Sequence, residues 1–241
     1  MPPRVAIIGA GLAGVTLARR LAPTMPVTLI EKSRGVAGRM STRRLDDQVF
    51  DHGAQYFTVR DDRFAAMLAP YLERGLVVPW QARFVTVDGR GQVAPRPMDR
   101  QPMIAVPGMT ALVKAMADGL DIRLATTAAS ITRSDEGWQI HDTDGGLVVT
   151  ADRVVTAIPA AQAAMLLPAE CGFHDRLDAV SMLGCFTLML GFDTPLDPGW
   201  DAAFVEESPL GFVADNASRP GRGDFAALTV QANNTWAQDR L

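Results

Sequence analysis

The chain has 241 residues, with 23 Lys+Arg against 27 Asp+Glu, a formal net charge of −4 and 48% hydrophobic residues. That is ample for one large or two small folded domains, too apolar for disorder, and without the basic surplus of a nucleic-acid binder. Two cysteines, Cys171 and Cys185, exclude a disulfide framework or a cysteine-rich metal site; His52, His141 and His174 are too scattered to form a ligand pattern, so no metal is expected.

Arg4 to Ile8 predicts a wholly apolar strand, suited to burial on both faces of a parallel sheet. The stretch Val5 to Ala18 has the length of a signal-peptide core, but three glycines interrupt it and no small-residue cleavage pattern follows. No apolar run reaches the roughly 18 residues of a membrane span, so a cytoplasmic protein with no membrane partner is expected. Those glycines fall in Gly9-Ala10-Gly11-Leu12-Ala13-Gly14, the G-x-G-x-x-G spacing, followed by the helical period of Leu12 to Leu21 and a second strand, Val27 to Ile30, ending at Glu31. Each part has a task in dinucleotide binding. Gly9 allows the tight turn, Gly11 lets backbone approach a pyrophosphate, and Gly14 lets helix pack on strand. The helix start, at Leu12 and Ala13, presents free N–H groups to phosphate. Glu31 can accept hydrogen bonds from an adenosine ribose, which disfavours a 2′-phosphate there.

Asp62 to Leu76 reads as a helix interrupted by Pro70, and Ala82 to Val93 as a hairpin around Asp88-Gly89. Ala94 to Pro107, with four prolines, is expected to be loop. Met109 to Gly119 reads as a helix and Ile122 to Leu124 as a strand returning to the first sheet. Thr126–Arg133, Trp138–His141 and Leu147–Thr150 predict a three-stranded meander with glycine-containing turns. Val154 to Ile158 is another buried strand, after which Pro159 opens a helix through Leu167. Strands follow at Phe186–Gly191, Ala203–Val205, Gly211–Ala214 and Phe225–Gln231. Met182, Met189, the nearby aromatics and both cysteines are expected in the core. Arg43-Arg44, Asp46-Asp47 and Asp61-Asp62 are expected as solvated charge. Asn233-Asn234-Thr235 is expected to cap a short final helix over Trp236–Leu241.

These elements predict an α/β fold: a Rossmann-like dinucleotide-binding domain with an inserted or second α+β substrate domain whose sheet is mostly antiparallel. The expected division is 1–60 with 103–160 for the cofactor domain, and 61–102 with 161–241 for the substrate domain.

Two further segments, Gly35-Val36-Ala37-Gly38-Arg39-Met40-Ser41-Thr42 and Asp51-His52-Gly53-Ala54-Gln55-Tyr56, give the cofactor its identity. Together with the glycine motif, Val106-Pro107-Gly108-Met109, Asp152 to Pro159, Ser208-Pro209-Leu210-Gly211 and Trp236, they resemble the amine-oxidase-like flavoproteins, most closely the renalase-like branch. The resemblance implies FAD as cofactor, with Arg39 beside its pyrophosphate, Gly38 and Met40 along it, and Gly53, Ala54, Gln55 and Tyr56 close to the flavin ring; Lys32, next to Glu31, is a further cofactor-binding candidate. Ala37 stands where the family pattern has glycine; if the position requires positive φ, the loop is strained. His52 is expected to be a packed or solvated side chain, and no catalytic acid or base is assigned.

The resemblance implies an oxidase whose small-molecule substrate is an isomeric dihydronicotinamide form of NAD(P)H, with dioxygen as acceptor. A flavin amine oxidase and an inactive nucleotide-binding remnant are the alternatives. Oligomeric state is left open. In the family a further segment supplies a last strand and a helix end facing the flavin. It has no counterpart before Leu241, so a fragment or shortened variant with weak FAD binding is expected.

Overall fold

The computed structural model describes residues 1–45, 48–194, 196–223 and 225–241. The Asp46-Asp47 pair, expected as solvated charge, lies outside them. The chain divides into two units, Met1–Arg39 with Val113–Met182, and Met40–Leu112 with Leu183–Leu241. Residues 40–57 belong to the second unit, tied there by the buried polar cluster described below.

In the first unit four parallel strands lie in the order Arg153–Thr156, Val5–Ile8, Val27–Ile30, Asp121–Arg123. Val5 to Ile8 are all buried, as a strand covered on both faces requires. Leu12–Leu21 forms the helix that crosses back over this sheet. The expected meander is present as Ser130–Ser134, Gly137–His141 and Leu147–Ala151. Its Ile131, Ile140 and Ala151 share one core with Ala6, Ile8 and Ile30 of the parallel sheet. At the sheet's end Arg4 forks onto Asp152, and those hydrogen bonds hold the carboxyl down at about 2. A short helix, His174–Asp178, has no apolar periodicity and was not foreseen.

The second unit is built on a six-stranded sheet, in the order Thr187–Phe192, Ala226–Ala232, Leu210–Asp215, Ala202–Val205, Phe84–Val87, Val93–Pro95. Every neighbouring pair is antiparallel except Ala202–Val205 with Phe84–Val87. Two expectations fail here for identifiable reasons. The Asp62–Glu73 helix runs through Pro70 without interruption. Asp61 caps its start, and at its end Gly75 N–H donates to Leu72 and Leu76 N–H to Tyr71, while Leu68 and Tyr71 are buried. Both ends are pinned, so the hydrogen bond that proline cannot make is tolerated. The proline-rich stretch is also not all loop. Val93–Pro95 is an edge strand, where proline leaves no internal ladder bond unmade, and Met103–Ala105 is a buried strand paired with Val77–Pro79.

The cysteines are not core thiols: Cys171 is half-buried and Cys185 exposed. Met182 and Phe186 are likewise exposed rather than packed. No helix of the described residues is long and apolar enough to cross a membrane, and no group of three or more metal-ligating side chains occurs among them.

Candidate functional site

The first unit gathers one set of expected site residues around the strand-to-helix turn. Gly9 has φ +104°, and a Cβ there would meet the Ala157 carbonyl oxygen at 2.7 Å. A Cβ on Gly14 would lie 2.0 Å from the Gly9 oxygen. Both glycines are therefore required by the chain's own packing. Gly11 differs: its backbone is ordinary, at φ −74°, and a Cβ would meet nothing within 4 Å. Gly11 caps the helix, so the N–H groups of Leu12, Ala13 and Gly14 have no intrahelical acceptor. Glu31, 7% exposed, accepts from Ala10 N–H at 2.8 Å and Ser33 N–H at 2.9 Å, fixing its carboxylate at the strand end. Ala37 donates to Ala10 O at 3.0 Å and bridges to Gly11, and a Cβ on Gly38 would contact the Gly11 Cα at 3.5 Å. Lys32 is exposed, its ammonium 3.5 Å from Gln162 Oε1. Arg39 is exposed, and its guanidinium has no hydrogen bond or ion pair among the described residues.

Ala37 resolves the question posed by the sequence. It sits at φ +104° and is buried, a conformation that costs a residue with a Cβ about 1–2 kcal/mol. Ala37→Gly should therefore raise stability by about 1 kcal/mol, read as a higher urea midpoint. A lower midpoint would show that no strain was stored there.

The second unit contains Met40 and the other set. Met40 is buried and accepts at its carbonyl from Thr110 Oγ1 at 3.3 Å. Gly53, Ala54, Gln55 and Tyr56 form one wall of a cavity of about 450 Å³. Phe204 and Phe212 supply aromatic faces, with ring centroids 5.0 Å apart, and Tyr56 stands 6.2 Å from Phe212. Gln231, Asn233 and Asn234 add carboxamides, and among the described residues no charged side chain lines the space. The Gly53 carbonyl accepts from Gln231 Nε2 at 2.7 Å and from Gln55 Nε2 at 3.1 Å, which holds that wall in place. His52 does not line the cavity. Burial first, and then the charge of Arg43, push its pKa down against the opposing pull of Asp51.

Behind the wall lies a polar cluster that sequence reading missed. Asp51, Arg219 and Arg222 have fully buried side chains. Asp51 Oδ1 accepts from Thr42 Oγ1 at 2.6 Å and Met109 N–H at 3.0 Å, while Oδ2 accepts from Arg219 Nη1 at 3.0 Å and from Arg222 Nη2. Arg219 Nη2 also donates to Gln55 Oε1 at 2.7 Å, and its guanidinium lies 4.6 Å from the Trp80 ring centroid. Burial pulls the Arg219 pKa to about 10 against the support of Asp51. One buried carboxylate thus serves two buried guanidiniums and connects them to the cavity wall.

Residues 7–71 match the model of an NAD(P)-binding Rossmann-like domain, and residues 76–225 match that of the flavin containing amine oxidoreductases. The chain belongs to the flavin-containing amine oxidoreductase family. Solved structures agree on the fold. A protein from Exiguobacterium sp. 255-15, provisionally described as a protoporphyrinogen oxidase, superposes with a TM-score of 0.77 at 15% identity, over 99% of this chain and 79% of that one. Putrescine oxidase bound to putrescine gives 0.71 at 16%, over 99% and 77%. Reduced UDP-galactopyranose mutase gives 0.77 at 11%, over 98% and 75%. The α/β architecture, with a Rossmann-like parallel sheet and antiparallel sheets, is that of this family of FAD-dependent oxidoreductases.

The family's cofactor fits the first-unit turn. A space that only a missing Cβ leaves open, three helix N–H groups without an intrahelical acceptor and a buried carboxylate at the second strand's end are what a dinucleotide requires.

Proposed function

We propose that this member of the flavin-containing amine oxidoreductase family is an FAD-dependent oxidase acting on a small reduced heterocycle, an isomeric dihydronicotinamide of the NAD(P)H kind. Gly9, Gly11 and Gly14 with the N–H groups of Leu12 and Ala13 hold the pyrophosphate, Arg39 forks onto it, and Glu31 with Lys32 takes the adenosine side. Gly38 and Met40 lie along the cofactor. The Gly53–Tyr56 wall receives flat rings. When bound, FAD supplies a two-electron acceptor that dioxygen reoxidises, giving hydrogen peroxide. The chain's own work is to bind, to stack, and to keep water from the reacting rings. No side chain is assigned as proton carrier.

The observation that carries this reading is the lining of the cavity: aromatic faces and carboxamides without a charge. Such a lining suits an uncharged ring bearing a carboxamide better than an ammonium ion, which would need a carboxylate partner once desolvated. The test is direct. The purified protein, supplied with FAD, should be yellow and should bleach anaerobically with isomeric dihydronicotinamides. Bleaching by amines alone would support the amine-oxidase reading instead. A colourless protein after incubation with FAD would support a nucleotide-binding remnant.

Arg39→Ala should weaken FAD about tenfold to a hundredfold, the worth of a charge-assisted fork. Arg39→Lys should recover only part of this, since an ammonium cannot make the bidentate geometry. Equal flavin affinity in wild type and Arg39→Ala, by fluorescence titration, would return Arg39 to the solvated surface.

A further inference from the structure

A second cavity of about 760 Å³ lies in the same unit, lined by Tyr56, Thr58, Arg60, Met98, Asp99 and Arg100. Tyr56 belongs to both cavities, so the two meet at one side chain. Their chemistry is opposite. The first carries no charged group, whereas the second presents two guanidiniums against one carboxylate. A third guanidinium, which lines neither cavity, is near the first: Arg96 lies 4.2 Å from the centroid of Phe204, a lining residue of the first cavity. Its charge also reaches the Tyr56 hydroxyl, opposing the upward push of burial on that phenol.

The ion pairs of the described residues engage Arg4, Arg63, Arg83, Arg123, Arg219 and Arg222, and none engages Arg60, Arg96 or Arg100. Arg100 makes only a long contact, 3.4 Å, to the Val59 carbonyl, and Arg96 one of 3.3 Å to Thr86 Oγ1. Asp99 pairs with neither of the arginines beside it. Arg60, Arg96 and Arg100 are exposed; guanidiniums beside a concave space without carboxylate partners are available to a ligand, and their planar forks match phosphate oxygens.

We propose that the second cavity is a phosphate subsite, which takes the charged tail of a nucleotide substrate whose ring occupies the first cavity. The proposal rests on the reading of the first cavity as the ring site. It narrows the substrate class to phosphate-bearing rings. A cationic amine approaching Tyr56 would meet three unpaired arginines and be repelled, whereas a phosphate would be drawn in and gripped. Arg60 and Arg100 are the forks, and the Thr58 hydroxyl is a further donor for a group with three acceptor oxygens.

The test compares two isomeric dihydronicotinamide probes with the FAD-loaded enzyme, the riboside and the 5′-mononucleotide, which differ only by the phosphate. The wild type should show a KM for the mononucleotide at least tenfold below that for the riboside. Arg60→Gln/Arg100→Gln should close that ratio at least tenfold, by a rise in the mononucleotide KM with little change in kcat. Inorganic phosphate should compete with the mononucleotide and not with the riboside. Calorimetric titration with the oxidised riboside and mononucleotide gives the same ratio without turnover. If both probes bleach the flavin with one KM, or if the double variant leaves the ratio unchanged, the phosphate subsite is wrong while the oxidase reading stands. If neither probe bleaches it but the oxidised mononucleotide still binds over the riboside in an arginine-dependent way, the oxidase reading falls and the subsite stands. If neither binds, both fall.

Discussion

Asp51→Ala should destabilise the protein by about 3–5 kcal/mol, the usual cost of stranding buried charges by removing their partner. Few positions combine so many dependencies. The Asp51 carboxylate is fully buried and accepts from a hydroxyl, a backbone N–H and two guanidiniums. Without it, Arg219 and Arg222 remain buried, each with an Nε that has no partner among the described residues. A loss of that size approaches the whole 5–15 kcal/mol margin of a typical domain. Asp51→Asn, which keeps acceptor and shape but not charge, should fall between wild type and Asp51→Ala. Urea unfolding measures both. A midpoint shift in Asp51→Ala worth less than about 1 kcal/mol would mean the cluster tolerates water or relaxes, and would remove it as a support of the cavity wall.

That cluster also marks where sequence reading stops. The core of the parallel sheet was legible because its two middle strands, Val5–Ile8 and Val27–Ile30, are local apolar runs joined by a helix of clear period, Leu12–Leu21. The meander was legible from its glycine turns. The turn residues Gly9 to Gly14 and Glu31 were legible because one supersecondary unit holds them all. Arg219 and Arg222, by contrast, sit in a Pro/Gly segment that looks like solvated loop, and they meet Asp51 across 168 and 171 residues. Nothing periodic connects such positions. The only local signal was an Asp among apolar neighbours at the end of the Gln48–Asp51 strand, which needed a partner of unknown address. The proline-rich stretch was misread for the opposite reason: proline is a strong local signal, but at a sheet edge it leaves no internal bond unmade. The grouping of Gly53–Tyr56 came from resemblance, and the strands that complete the cavity they line, which bring in Phe204, Phe212 and Gln231, come from tertiary pairing.

The glycines of the turn give the sharpest separation of folding from binding, since substitutions three residues apart should have opposite consequences. Gly14→Ala places a methyl 2.0 Å from the Gly9 backbone oxygen, and backbone on both sides has little freedom to yield. An overpacked contact of this kind should cost about 3 kcal/mol and separate the helix from the strand it covers. Gly11 faces no such constraint, because its φ is ordinary and its Cβ direction is open. Gly11→Ser should leave the cofactor-free protein as stable as wild type or slightly more so, because serine is a better helix cap than glycine. Gly11→Val should lose about 1 kcal/mol as a poorer cap and still fold. Both should lose flavin, because the side chain occupies the space through which backbone would meet the pyrophosphate. Melting temperatures of the cofactor-free proteins, with visible absorbance after incubation with FAD, read the two effects separately. A Gly11→Val protein carrying wild-type flavin would place the phosphates elsewhere. A Gly14→Ala protein melting with wild type would mean the helix start shifts more readily than its packing implies.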